Sequence, residues 1–324
     1  MDTSKSWEWY EGELPWVPLR PLHLQLEEQP TILTAEALFF FCAAVALAHA
    51  VSHGRQHVLV WLCAMVGGTA NDIFFMVLPF VDNFFHAQCT VMLTPRLPLY
   101  IPCAYIAFVY FSTASSWRST LTTSLGQSAL AGLAGALFYC MFDIVGAKFL
   151  WWTWHDTDAG VSERWLGVPV GSTMWTLVHC FTFSLLLHRF ALHQLHLSLS
   201  SSVVALLAVA LLNTPFMMAV MIPSQLHQLR VSLSPSFAVL QQPGRPDLIS
   251  LFLVIAVLLF LVVQASRTKR PHFLPWFKRN LKWDSVLMIG VSVYCTSLFL
   301  TVLVADPSAV VSTGNEEMRC HHLL

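Results

Sequence analysis

Charged residues are scarce in this sequence. Only 11% of its 324 residues are Asp, Glu, Lys or Arg, and 56% are hydrophobic, whereas ordinary soluble domains carry about 25% charged residues. A soluble fold of this length could not bury so much apolar surface, but lipid can solvate it. The formal net charge is only −1, so no global field attracts nucleic acid, and we predict no nucleic-acid partner.

Several motifs of known chemistry are also absent. The sequence has no Gly-rich phosphate loop, no GxSxG nucleophile elbow and no HExxH zinc motif. Its eight cysteines include no CxxC pair, and most of them lie within apolar runs. This distribution favours buried free thiols over a disulfide or zinc framework.

Long hydrophobic runs are abundant. Eight of them reach the roughly 17–25 residues that a membrane-spanning helix needs. They cover residues 33–52, 57–80, 96–115, 124–147, 170–190, 202–222, 248–266 and 285–305. We predict an all-α fold, a polytopic transmembrane helical bundle of about eight spans (seven to nine) in a single domain at 33–305. Residues 1–32 are predicted to form an acidic tail containing proline and tryptophan, and residues 306–324 a short C-terminal tail.

Two spans carry special features. Ser128, Gly132 and Ala136 recur every four residues, a pattern of small residues that lets a neighbouring helix approach closely. Pro215 follows Asn213 and Thr214 in the sixth span, where it is expected to kink the helix and free carbonyl groups.

Lys and Arg concentrate in the loop at 267–284. Its basic residues are Arg267, Lys269, Arg270, Lys278, Arg279 and Lys282. The positive-inside rule therefore predicts that this loop, with the first, third and fifth loops, faces the cytoplasm. Both termini and the second, fourth and sixth loops would face the other side. Aromatic residues interleaved with these charges predict that the loop lies among the headgroups and contacts anionic lipid.

Some ionisable residues lie inside the predicted spans. A charged Asp near the bilayer centre costs at least about 2.5–3.5 kcal/mol, so it must be protonated, paired or exposed to water. Asp72 and His179 lie eight and nine residues from the same non-cytoplasmic boundary, a depth of roughly 12 Å. We predict a polar pocket there, with Asp72, Asp143 and His179 as acid–base groups. Its other residues would be Asn71, Asp82, His86, Trp151, Trp152, Trp154, His155, Asp156, Asp158 and Trp175.

Simpler interpretations of these residues remain open. An intramembrane Asp, Asn or His can join two helices through one hydrogen bond. Asp82 and His86 are four residues apart, a spacing that would place both on one helical face as possible metal ligands. We predict no cofactor, with a divalent metal at Asp82 and His86 as the alternative.

The segment "KFLWWTWHDTDAGVSERWLGVP" (148–169) lies between the fourth and fifth predicted spans. Its tryptophans stand where aromatic belts form at the hydrocarbon–headgroup junction, so the segment could be a membrane anchor. The acidic residues that follow the tryptophans exceed what anchoring needs. We therefore favour a cap folded over the mouth of the pocket, in which aromatic faces hold an apolar or polyene chain.

One part of the chain resembles a known signature. Its residues are Asp143, Gly146, Trp151, Trp152 and Trp154, followed by "WLGVPVGSTMW" at 165–175. They resemble the bacterial and archaeal carotenoid-biosynthesis membrane proteins, which include carotenoid hydratases. The resemblance implies acid-catalysed addition of water to an isoprenoid double bond, or its rearrangement, with Asp143 as a candidate acid. Across the whole chain, "ANDIFF", "DNFFHAQ" and "KFLWWTWHDTD" look like an uncharacterised eukaryotic family of multi-pass membrane proteins, which implies no activity.

Three functional hypotheses follow. The first is an enzyme that performs acid–base chemistry on an isoprenoid or other long-chain lipid, the partner expected besides the bilayer. The second is a proton-coupled carrier in which Asp72 titrates and the Pro215 kink acts as a hinge. The third is a structural membrane protein whose polar residues hold helices together. The polar groups lie mostly on one side, which favours an enzyme or a receptor-like pocket over a carrier, because a carrier needs a polar lining from both faces.

Overall fold

The computed structural model describes residues 18–78, 84–154, 161, 163–192, 197–233, 246–268 and 284–310, without the side chains of 222–233 and 246–247. The α-helices are α1 Leu22–Glu28, α2 Pro30–His53, α3 Arg55–Val77, α4 Tyr100–Tyr105, α5 Phe111–Trp117, α6 Ser124–Lys148, α7 Val170–Leu187, α8 Leu199–Leu233, α9 Pro246–Arg267 and α10 Ser285–Val304. Within these ranges, seven helices are long and apolar enough to cross a membrane, namely α2, α3 and α6 to α10. The predicted all-α transmembrane bundle is confirmed.

The predicted span at 96–115 has a different construction. Helices α4 and α5 are joined without a break by a π-helical turn at Ile106–Tyr110, and the whole stretch is almost entirely buried. Its two ends lie at opposite ends of the bundle, because the N–H of Leu99 donates to Val91 and Arg118 contacts Asp284. We call Tyr100–Trp117 the central strut. It crosses the bundle as three short helical pieces.

Small residues set a close contact between α6 and α7. A Cβ added at Gly132 of α6 would lie 2.7 Å from the backbone oxygen of Leu177 in α7, so no larger residue fits there without a shift. The Ser128 hydroxyl donates to that of Ser184 on the same seam at 3.2 Å. The predicted close approach of a neighbouring helix is confirmed. Helix α8 continues through Pro215.

Short strands cover one end of the bundle. Strands β1 Phe84–His86 and β4 Trp152–Trp154 pair antiparallel, with His86 opposite Trp152. The hairpins β2 Met92–Thr94 with β3 Leu97–Pro98, and β5 Arg164–Trp165 with β6 Val168–Pro169, complete this layer. We call residues 84–99, 149–154 and 163–169 the cap.

The chain before α2 is folded onto the cap. The N–H of Arg20 donates to Thr90 and that of Met92 to Pro18, at 2.9 and 3.0 Å. The Gln29 amide donates to the backbone oxygens of Phe149 and Leu150. Residues 18–32 thus differ from the predicted tail, because they contain α1 and are held against the cap by these hydrogen bonds. The first long helix begins at Pro30.

Different loops lie at the two ends of the bundle. The cap end holds the second and fourth loops, whereas the end of α2 at His53, the end of α5 at Arg118 and the start of α10 at Asp284 meet at the opposite end. For these described loop ends, the grouping matches the predicted relative arrangement. That the end opposite the cap faces the cytoplasm stays a prediction.

Candidate functional site

A hydrogen-bonded network surrounds Asp72 at the cap end of α3. The Tyr105 hydroxyl donates to Asp72 Oδ1 at 2.5 Å and accepts from the Asn71 amide at 3.0 Å. Thr214 of α8 donates to the Asn71 carbonyl oxygen at 2.9 Å. All four side chains are buried, so α3, the central strut and α8 are joined through one polar network.

Tyr105 reaches Asp72 because Gly68 leaves it room. A Cβ at Gly68 would overlap the Cβ and ring of Tyr105. Glycine there lets the strut approach α3 closely enough for the phenol to reach the next turn. Tyr105 was not predicted as a site residue, because a tyrosine in an apolar run is typical of ordinary helix packing.

Measured from the ends of their helices, Asp72 and His179 lie at different distances, whereas their predicted equal depth in a membrane stays a prediction. Helix α3 ends at Val77, three residues before the predicted boundary at Phe80, so Asp72 lies about 7.5 Å from the helix end at 1.5 Å per residue. His179 lies nine residues into α7, about 13.5 Å from its start. The length of the Tyr105 side chain bridges the difference, since its ring centroid is 5.8 Å from that of His179.

His86 of β1 approaches Asp72 from the cap. Its Nε2 lies 4.0 Å from Asp72 Oδ2. Among the described residues, neither that oxygen nor either nitrogen of His86 has a hydrogen-bond partner. Burial, with a smaller contribution from the positive charge of Arg96, lowers the pKa of His86 to about 3. The imidazole is therefore neutral at physiological pH and faces a carboxyl oxygen without bonding to it.

Asp143 lies on α6 at the same distance from its helix end as Asp72 on α3. The Ser172 hydroxyl, in the first turn of α7, donates to Asp143 Oδ2 at 2.6 Å. Tyr139, one turn before Asp143 on α6, packs against Trp175 with ring centroids 5.9 Å apart, and Trp175 packs against Tyr105 at 6.0 Å. The two carboxyl groups thus belong to one neighbourhood, although each has its own hydroxyl donor.

His179 is reached through a second polar contact from α8. The Asn213 amide nitrogen lies 3.2 Å from both ring nitrogens of His179, and Thr182 donates to the Asn213 oxygen at 2.6 Å. The Trp175 ring lies 5.0 Å from the imidazole and 6.0 Å from the Tyr105 ring. Asp72, Asp143 and His179 are therefore brought around the rings of Tyr105, Tyr139 and Trp175, without direct contact among the three.

The tryptophans of the fourth loop are mostly inside the fold. Trp151 is fully buried and donates its indole N–H to Thr31 at 3.1 Å. Trp152 covers Gly146, where a Cβ would overlap its ring, and its ring lies 6.2 Å from that of His86. Trp154 is half-buried, whereas Trp165 is 58% exposed. Trp151 and Trp152 thus fasten the cap to the helices.

Several predicted site residues lie outside the described part of the chain. They are Asp82, His155, Asp156, Asp158, Lys269, Arg270, Lys278, Arg279 and Lys282. Arg267 is described and stands exposed at the end of α9. The metal alternative at Asp82 and His86 and the lipid contact of the basic loop therefore stay predictions.

Two further groups of polar residues were not predicted. Glu36 of α2 is buried and accepts from the Thr90 hydroxyl at 2.6 Å and from the Val91 N–H at 3.4 Å, which ties α2 to the cap. At the opposite end, His49 and His53 meet Asp284. The segment "HAVSHGRQH" (49–57), with a histidine every fourth residue, is the signal that could have indicated the second group.

A family model matches residues 16–318, nearly the whole chain, and its description is "Domain of unknown function (DUF7802)". No curated protein and no solved structure matches the chain. The match agrees with the predicted likeness to an uncharacterised family of multi-pass membrane proteins, because it includes all seven membrane-crossing helices and the cap. The chain belongs to the family defined by this domain of unknown function, DUF7802.

Proposed function

We propose that this protein is a membrane-embedded enzyme that performs acid–base chemistry on an isoprenoid or another long-chain lipid. One observation carries the proposal: Asp72 Oδ2 and His86 Nε2 lie 4.0 Å apart, both buried, and neither has a hydrogen-bond partner among the described residues. Buried polar atoms in native proteins nearly always have a partner. An acid and a neutral base that both lack one are suited to a substrate that completes the site.

The reaction implied by the carotenoid-hydratase resemblance fits these groups. A proton on Asp72 Oδ2 would add to one carbon of a double bond and leave a carbocation on the other. Water would then bond to the cation, His86 Nε2 would take the proton that the water loses, and that proton would return to the carboxylate. The net reaction adds one water to the double bond. Asp143, held by Ser172, is the second candidate for the acid.

The aromatic side chains around the carboxyl groups suit such an intermediate. The Trp175 ring centroid lies 6.0 Å from that of Tyr105 and 5.9 Å from that of Tyr139. Aromatic faces stabilise cations, with up to about 2 kcal/mol or more from a desolvated contact. The Trp175 indole N–H has no partner among the described residues. The rings would therefore stabilise the positive charge while the carboxyl group supplies the proton.

An apolar cluster beside the network could receive the lipid chain. Methionines from α7 and α8 pack there with Phe75 of α3; they are Met174, Met217, Met218 and Met221. Methionine side chains are flexible and polarisable and adapt to irregular apolar shapes. This neighbourhood supports a long-chain lipid rather than a small polar substrate.

The test is an untargeted lipid analysis of cells that lack the protein, complemented with the wild type, Asp72→Asn or Asp306→Asn. We expect deletion to remove a product lipid and accumulate its precursor, and the wild type to restore both. Asp72→Asn is nearly isosteric and should leave the deletion profile. Asp306, an exposed residue after α10, is the matched control and should restore the wild-type profile. Membrane levels of each variant are measured in parallel.

Two outcomes contradict the proposal. An unchanged profile in deletion cells argues against lipid chemistry. A deletion profile fully corrected by Asp72→Asn removes Asp72 from the reaction.

A proton-coupled carrier is the second candidate. It is favoured by the polar contacts of α8, where Thr214 bonds to Asn71 and Asn213 contacts His179 immediately before Pro215. These contacts extend the network of Asp72 towards the middle of the bundle. If deletion leaves lipids unchanged while proteoliposomes show a proton flux that Asp72→Asn abolishes, the carrier function is favoured.

A further inference from the structure

A second ionisable cluster lies at the end of the bundle opposite the cap, where α2 ends and α10 begins. It consists of His49, His53, Asp284 and Arg118, and we call it the histidine cluster. We propose that His49, His53 and Asp284 form a binding site for one divalent transition-metal ion of the zinc class, from which Arg118 withdraws when the metal binds. The site is distinct from the network around Asp72.

The ligand atoms have the spacing that a metal requires. His49 Nε2 lies 2.8 Å from Asp284 Oδ2, and His53 Nε2 lies 3.4 Å from the same oxygen. One ligand atom from each residue falls within 4.8 Å of the others. Ligands bound at 2.0–2.1 Å to a tetrahedral ion are about 3.3 Å apart. Small rotations of the His53 side chain, which is 31% exposed, would complete this geometry.

The histidines are held so that Nε2 faces the carboxylate. His53 Nδ1 lies 2.9 Å from the backbone oxygen of His49, which can only accept, so Nδ1 carries the proton and Nε2 keeps its lone pair. His49 Nδ1 contacts the Tyr110 hydroxyl at 2.5 Å. Metal-binding histidines commonly use their other nitrogen for such an orienting hydrogen bond. His53 thus already has the tautomer of a metal ligand. His49 Nε2–H donates to Asp284 Oδ2 at 2.8 Å, so metal binding would move that proton to Nδ1, which would then donate to the Tyr110 oxygen.

The Arg118 guanidinium occupies the position that a metal ion would take between the ligands. Its Nη2 lies 2.5 Å from Asp284 Oδ2 and 3.0 Å from His53 Nε2, so one positively charged group contacts two of the three ligands. The Arg118 side chain is 21% exposed at the end of α5 and can turn towards water. In this arrangement the guanidinium neutralises the ligands until a metal replaces it.

Two imidazole nitrogens and one carboxylate oxygen define the class of ion. This ligand set suits Zn²⁺ and related divalent transition metals rather than Mg²⁺ or Ca²⁺, which prefer oxygen ligands. Three protein ligands leave a fourth position for water, as in catalytic zinc sites. Helix α10 packs against α2, so the ion would also join the first and last long helices of the chain.

The test uses the full chain, purified in detergent with an affinity tag that contains no histidine. Resident metal is removed with a chelator, Co²⁺ is titrated in, and its visible absorption is recorded. Zn²⁺ is then added as competitor. We expect one equivalent of Co²⁺ to give the bands of a tetrahedral nitrogen and oxygen site, and Zn²⁺ to abolish them.

Three variants identify the site. His53→Ala and Asp284→Asn should each weaken Co²⁺ binding at least tenfold, because each removes a ligand. Arg118→Ala should tighten it, because the competing guanidinium is gone, and misfolding cannot produce a gain. His23→Ala, which removes an exposed histidine of α1, is the matched control and should bind like the wild type.

Two results overturn the proposal. If neither the wild type nor Arg118→Ala gives the cobalt bands, the cluster binds no metal. If His53→Ala and Asp284→Asn bind Co²⁺ as tightly as the wild type, the metal is held elsewhere. Thermal unfolding of every variant verifies that the comparison is made on folded protein.

Discussion

The two ends of the bundle hold their buried polar groups in different ways. At the cap end, Asp72 and His86 face each other at 4.0 Å with atoms that bond to nothing among the described residues. At the opposite end, both oxygens of Asp284 have partners: Oδ1 accepts from the N–H groups of Val286 and Leu287, and Oδ2 from Arg118 and His49 Nε2. The polar atoms at the cap end are thus available to a bound substrate. The carboxylate at the opposite end already binds a cation, the Arg118 guanidinium.

This difference matters because an unmade buried hydrogen bond costs about 1–3 kcal/mol. A fold that only needed to join helices would not keep such a cost next to Asp72. A cluster that is completed by a guanidinium has no such cost, and its ligands become available only if Arg118 moves. The unpartnered atoms of Asp72 and His86 therefore favour a role in a reaction. The histidine cluster favours exchange of the Arg118 guanidinium for a metal ion.

The largest expected effect separates a buried tryptophan of the cap from an exposed one. Trp151→Ala removes a fully buried indole and its hydrogen bond to Thr31, and should lower the free energy of unfolding by about 3–5 kcal/mol. Trp165→Ala removes a ring that is 58% exposed, and should change it by less than about 0.5 kcal/mol. Denaturant unfolding in detergent measures both. Equal effects would mean that Trp151 does not fasten the cap.

The next prediction separates packing from the acid–base site. Gly68→Ala places a Cβ against Tyr105, and Gly67→Ala places one 2.5 Å from Val209. Each should lower the free energy of unfolding by about 1–3 kcal/mol through overpacking. Only Gly68→Ala should also disturb the lipid profile, because it moves Tyr105 away from Asp72. A lipid change with Gly67→Ala alone would contradict this assignment.

A pH dependence tests the neutral state of His86. Its folded pKa of about 3 lies below the usual value near 6.5, so the unfolded chain binds the proton first and stability falls as the pH drops below about 6.5. From pH 7 to pH 5, His86→Gln should lose about 2 kcal/mol less stability than the wild type. Thermal unfolding across this range measures the difference. Parallel curves would show that His86 is protonated in the fold or exposed.

The smallest effect concerns the start of α10. Burial opposes ionisation of Asp284, but its interactions with His49, the hydrogen bond from the Leu287 N–H and the positive charge of Arg118 outweigh burial and hold its pKa below the usual range. Asp284→Asn keeps an oxygen that can cap α10, whereas Asp284→Ala does not. The Ala variant should therefore be less stable than the Asn variant by about 1 kcal/mol. Equal stabilities would show that the cap contributes nothing.

The helices could be predicted closely because lipid imposes a strict length on each of them. The span predicted at 124–147 is Ser124–Lys148, and the one predicted at 285–305 is Ser285–Val304. The central strut was less predictable, since its π turn depends on how Ile106–Tyr110 packs inside the bundle. Strands β1 and β4 have three residues each and pair across more than sixty positions, which leaves almost no local pattern.

The candidate site was only partly predictable for a similar reason. Hydropathy identifies Asp72 and Asp143 because a charge is costly in the hydrocarbon. It does not identify Tyr105, because an aromatic ring is compatible with an apolar environment. Residue counts along α3 and α7 do not show that the Tyr105 side chain connects Asp72 to the neighbourhood of His179. His49 and His53 carry a recognisable spacing, but their partner Asp284 is 235 positions from His49, and only the packing of α10 on α2 unites them.

The sequence distance between His49 and Asp284 also determines when the members of the histidine cluster are synthesised relative to one another. At about 5–20 residues per second, a ribosome needs roughly 12–47 s between the two, so α2 enters the membrane long before its carboxylate partner exists. During that interval His49, a side chain destined for full burial, has only neighbours made early, such as Tyr110. Insertion of α10 then brings Asp284, the last-made member of the histidine cluster, to His49, so the complete cluster distinguishes a chain that contains α10 from one truncated before it.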